Sequence, residues 1–152
     1  MNTRKELLPT GLRPIRDHAR ATTAAGAGYD YPTTNVGTSG SVTVLCDPAL
    51  GNAGLDLARR LLARVGAPYT NMETLFGITG GAFEVVLAPL SKLNDGSGGA
   101  YHYGCDFSSG GTAYLDATFA SKDADPLELA VGLYVAELSE SFMGPQRAGW
   151  NA

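Results

Sequence analysis

Glu137 and Glu140 stand three positions apart in the stretch Ala136-Glu137-Leu138-Ser139-Glu140. On a helix that spacing makes their carboxylates neighbours, a pair able to move protons or to hold a hard cation. The competing expectation is that both belong to the solvated face of an amphipathic helix. His102 lies in a strand-like aromatic stretch between Tyr101 and Tyr103 and faces away from both. It reads either as a group that meets a ligand along an edge strand or as a hydrogen-bonded structural imidazole. Glu137 is thus the catalytic candidate, and Tyr101, His102, Tyr103 and Glu140 are the binding candidates.

Other chemistries lack their spacing. His18 and His102 are far apart and no CxxC is present, so no familiar Cys/His zinc pattern exists. Cys46 and Cys105 are too few for a disulfide framework; they are either joined in one bond or left as two reduced thiols. Asp116, Asp123, Asp125 and Glu128 would suit calcium, but the DxDxDG spacing is missing and helix capping accounts for Asp125 and Glu128. The glycine-rich stretches 79–81 and 96–99 match neither phosphate-binding pattern, and Ser108 and Ser109 have no GxSxG setting. No cofactor is expected.

The elements that must position these residues come from a chain of 152 residues, about one domain's worth. Its 44 % hydrophobic content supports a core, and 20 Gly with 8 Pro imply short elements joined by many turns. Residues 1–20 carry a net charge of +3 and the remainder −7, an acidic body that argues against nucleic-acid binding. No apolar run is long enough to span a membrane, and no secretory signal is visible, which points to cytoplasmic synthesis.

Residues 1–40 read as an extended arm: proline-punctuated, weakly periodic, with Tyr29 and Tyr31 as anchors for a surface of this or a neighbouring copy. Residues 41–152 read as one domain. Strands are expected at 41–46, 82–87 (central), 100–105 and 112–117, the last two as a hairpin. Leu55, Ala58, Leu61, Leu62 and Val65 define a first helix, stopped by Gly66 and Pro68. Thr70 and Glu73 fit a capping box opening a short second helix. Asp125, Pro126 and Glu128 start the last helix, and Gly144-Pro145 ends it. The expected fold is α+β, a four-stranded mixed sheet with two main helices. The last helix is apolar well beyond one stripe. Leu129 and Leu133 therefore read as interface residues, with Trp150 docked nearby, and the short tail after Pro145 fits a domain cut from a longer protein.

This order of elements, with the stretch Ala136–Glu140 on the final helix, resembles the N-terminal subdomain of zincin metallopeptidases of the gluzincin type. In that family a backing helix and an active-site helix bearing HExxH pack on a twisted sheet. The resemblance covers roughly residues 41–143. It implies that Glu137 takes the general-base position, while Ala136 and Glu140 stand where the two histidine ligands would be. An alanine ligates nothing, so the resemblance implies a degenerate domain without its metal site. The expected function is therefore non-catalytic, a pseudopeptidase acting in protein–protein interaction or homo-oligomeric self-assembly through its arm and last helix. The alternative is a metal-dependent hydrolase with Glu137 as general base and ligands completed by another segment or chain.

Overall fold

The computed structural model describes residues 32–90, 99–103, 110–122 and 124–143, with Tyr103 by its backbone alone. In chain order the elements are β1 (Thr34–Ser39), β2 (Val42–Cys46), a 3-10 turn (Pro48–Leu50), α1 (Gly51–Leu62), α2 (Gly66–Phe76), β3 (Phe83–Ala88), β4 (Ala100–Tyr103), β5 (Gly111–Asp116) and α3 (Pro126–Met143). The five strands form one mixed sheet in the order β1-β2-β3-β5-β4. The inner pairs β2/β3 and β3/β5 are parallel, and the outer pairs β1/β2 and β4/β5 are antiparallel. Mixed α+β architecture holds, with the two main helices and the shorter one between them, and with five strands in place of four.

The additional strand is β1, inside the stretch expected to be arm. Thr34-Asn35-Val36-Gly37-Thr38-Ser39 has no apolar alternation because it is a half-exposed edge, and Asn and Gly are poor strand formers. Pairing with β2 holds it in place. Thr38 and Thr43 face each other across the ladder with hydroxyl oxygens 3.0 Å apart. Gly40, at φ 60°, makes the tight reversal into β2. Gly37 lies so close to Leu62 of α1 that an added Cβ would sit 2.7 Å from a leucine methyl.

Helix α2 also starts earlier than expected. Thr70 lies inside it, four residues after Gly66, and its carbonyl accepts a hydrogen bond from the Thr74 hydroxyl at 3.0 Å. Pro68 falls in the first turn, where an amide N–H has no intrahelical partner, so a residue read as a stop serves as part of a start. The start of α3 is as expected: Asp125 Oδ1 accepts from the Glu128 N–H at 3.4 Å. The Glu128 carboxylate also meets Arg64 of the α1–α2 junction at 2.9 Å.

The main core lies between the helices and one sheet face. Val42, Val44, Cys46, Phe83, Val85, Leu87, Ala113 and Leu115 alternate onto that face and meet Leu57, Leu61, Tyr134, Leu138 and Phe142. α1 covers β1 and β2, and α3 covers β4 and β5. A smaller cluster of Val86, Ala88, Leu90, Tyr101 and Tyr114 occupies the opposite face. Among the described residues, no helix is long and apolar enough to cross a membrane.

Candidate functional site

The strand alternation of β4 and the rotation of α3 together decide which polar groups meet. His102 pairs with Ala113 of β5, a core-face position, so its side chain points toward the helix layer. There its Nδ1 lies 2.8 Å from Oε2 of Glu137 and 3.9 Å from Oε2 of Glu140. The three ligand atoms lie within 4.8 Å of one another. Exposure rises along the cluster, from 7 % for the His102 side chain through 13 % for Glu137 to 38 % for Glu140. Among the described residues His102 is the only basic side chain that reaches either carboxylate.

Glu137 is therefore not on a solvated face, and neither is Ser141, which is 1 % exposed with its hydroxyl bonded to the Leu138 carbonyl at 2.8 Å. The competing expectation placed Glu137 and Glu140 together on a solvated face. It fails for Glu137 because the sheet edge at β4 lies beside that flank of α3 and covers it, while Glu140 stays 38 % exposed. Among the described residues, the exposed large apolar side chain of the helix is Leu129, at 43 %.

Chemically, the imidazole–carboxylate bond holds one tautomer and one ring orientation for His102. Glu140, the most exposed of the three, keeps its carboxylate open to solvent beside that bond. Such a group of one nitrogen and two oxygens can exchange a proton with a bound water or ligate a divalent ion.

Other sequence-derived candidates fall elsewhere. Tyr101 points to the opposite sheet face and stacks on Tyr114, ring centroids 4.8 Å apart, so it does not join the cluster. For Tyr103 only the backbone pairing with Thr112 is described. Leu133 is half-buried against the core and packs beside Gly99. Tyr29, Tyr31, Cys105, Asp123 and Trp150 lie outside the described residues. Cys46 is a free buried thiol, and burial, with Asp47 beside it, pushes its pKa up to about 11. Asp116 holds the turn after β5 through the Thr118 N–H (3.2 Å) and hydroxyl (2.8 Å).

A concavity that sequence reading missed lies at the carboxyl ends of β2 and β5. It is a cleft of about 340 Å³ lined by Ala49, Leu50, Ala117, Thr118, Ser121 and Lys122. The only sequence signal for it is that strands end there in Asp47-Pro48 and Asp116-Ala117. Both aspartates serve the turns; Asp47 Oδ1 accepts from the Ala49 N–H at 2.7 Å. The cluster between β4 and α3 is the richer site, because it brings two carboxylates and an imidazole within 4.8 Å.

Comparison of the chain with protein-family models, with curated proteins and with solved structures found no match.

Proposed function

We propose that the side-chain cluster between β4 and α3 is a hydrolytic site acting on an acyl bond, in a zincin-like domain whose motif has diverged. The observation that carries this reading is the meeting of His102, Glu137 and Glu140 across two elements. The site accepts a proton from water as its oxygen attacks the acyl carbon and returns that proton to the departing amine or alcohol. One carboxylic acid and one amine or alcohol result. General acid–base help of this kind contributes roughly 10²–10⁴-fold to rate.

The test is turnover of a panel of chromogenic esters and fluorogenic peptides by the purified chain. Glu137→Gln, which keeps the shape and loses the base, is expected to lower the rate by about 100-fold or more. Equal rates for wild type and variant, or no turnover of any substrate, would overturn the reading.

The non-catalytic interaction reading retains one supporting observation. Leu75 on α2 and Leu129 on α3 are 75 % and 43 % exposed, large apolar side chains suited to a protein surface. It predicts that Glu137→Gln, whatever it costs in stability, leaves the association of the chain with itself or a partner unchanged.

A further inference from the structure

We infer that His102, Glu137 and Glu140 form a binding site for one divalent first-row transition-metal ion of the zinc class, through His102 Nδ1 and one oxygen of each carboxylate. The inference rests on the reading of this cluster as the working site and adds the cofactor it would use. The ligand set differs from the one the family resemblance implies, because its nitrogen comes from strand β4 and not from the helix.

Three observations support it. The first is distance. Metal bonds of about 2.0–2.2 Å at tetrahedral angles place ligand atoms roughly 3.4 Å apart. The separations from Nδ1 to the two carboxylate oxygens, 2.8 and 3.9 Å, fall on either side of that value.

The second is charge. Two carboxylates one helical turn apart repel each other, more so where one is largely buried. A structural ion pair needs only His102 and Glu137. Glu140 is turned toward the same imidazole without a hydrogen bond to it, and the described residues offer no second cation to neutralise it. A divalent ion would balance both carboxylates.

The third is donor type. An imidazole nitrogen disfavours calcium and magnesium, which take oxygen ligands, and suits zinc, iron or cobalt together with carboxylates. Three protein ligands leave a position open, and the exposure of Glu140 places that opening toward solvent. With an ion bound, Glu137 acts as a ligand; without one it is the proton acceptor.

The experiment is calorimetric titration of the full, EDTA-treated chain with Zn²⁺, paralleled by Co²⁺ and its visible absorption. One saturable equivalent is expected, with Co²⁺ bands of low coordination number. His102→Ala and Glu137→Gln should abolish binding. Glu140→Gln should weaken it by at least the roughly 10–100-fold typical of losing a supporting partner. His102→Ala removes a buried hydrogen bond and can disturb folding, so Glu140→Gln, which leaves the 2.8 Å pair intact, is the decisive variant. No saturable binding, or binding that Glu140→Gln and Glu137→Gln leave unchanged, would overturn the inference. Metal binding without turnover would sink the hydrolytic reading and leave the metal site standing. Turnover by the EDTA-treated chain together with no saturable metal binding would do the reverse.

Discussion

The Tyr134 hydroxyl donates to the Val65 carbonyl at 3.0 Å, a buried hydrogen bond that ties the middle of α3 to the α1–α2 junction. That bond, with the packing around it, marks the side of α3 that faces the core. At 100° per residue, Glu137 lies about 60° round the helix from Tyr134, and Glu140 about 60° further in the same direction. The helix thus turns from core to sheet edge to solvent across these three side chains, and His102 meets it at the middle step.

Tyr134→Phe should therefore cost about 1–3 kcal/mol, because it leaves the buried Val65 carbonyl without its donor. Urea unfolding measures this directly. A change under a few tenths of a kcal/mol would mean that packing alone holds the helix rotation.

The His102–Glu137 pair should show coupling in a double-mutant cycle. Alanine at either position loses the 2.8 Å bond, so the two single costs should exceed the cost of the double variant by about 1–2 kcal/mol. Strict additivity would show that the bond contributes nothing to stability in solution.

Alkaline pH should destabilise the fold through two buried acids. Burial, with Asp47 second, raises the Cys46 thiol from 9.0 to about 11, and burial, with Glu73 second, raises the Tyr69 phenol from 10.0 to about 12. Each group holds its proton more tightly in the folded state than in the unfolded one. Their contribution is whole below about pH 9 and is lost as pH climbs through about 11 and 12. Urea midpoints from pH 8 upward should fall accordingly, and Cys46→Ala should flatten the part of the fall between pH 9 and 11. Site-resolved mass spectrometry should also find Cys46 unalkylated by iodoacetamide at pH 8 in the native protein.

Gly110→Ala should be among the costlier single substitutions. Its φ of 91° alone disfavours a side chain by about 1–3 kcal/mol, and the new Cβ would collide with the Ala82 carbonyl. That carbonyl also accepts the Gly111 N–H at 3.1 Å, the first link of β5 to the segment leading into β3. Thermal melts compared with Gly40→Ala, where the φ is also positive but no atom stands nearby, separate strain from collision.

Deleting residues 1–40 should lower stability by about 2 kcal/mol, roughly 4–8 °C in Tm, because it removes β1. It would also leave β2 as an open edge, and light scattering should register association. An unchanged melt would show that β1 contributes no net stability.

Much of the fold is legible in local pattern. The β-branched run 42–46, the apolar run 83–88, the leucine spacing of α1 and the Asp125-Pro126 cap each carry their own signal, since each is decided by neighbours within a turn or a strand. β1 carries none, because its residues are held by a ladder with β2 and by contact with Leu62. The early start of α2 was hidden because glycine and proline mark helix ends of either kind.

The sequence by itself determined that Glu137 and Glu140 share a helix flank, since i and i+3 spacing needs nothing beyond helix geometry. It also determined that His102 faces away from its tyrosine neighbours, since strand alternation is local. Only the tertiary structure decided that this flank looks at that histidine. The pairing joins residues 35 positions apart. It depends on the register of β4 against β5 and on the rotation of α3, whose core side carries the bond to Val65. Both are set by packing across the whole core, which no local spacing encodes.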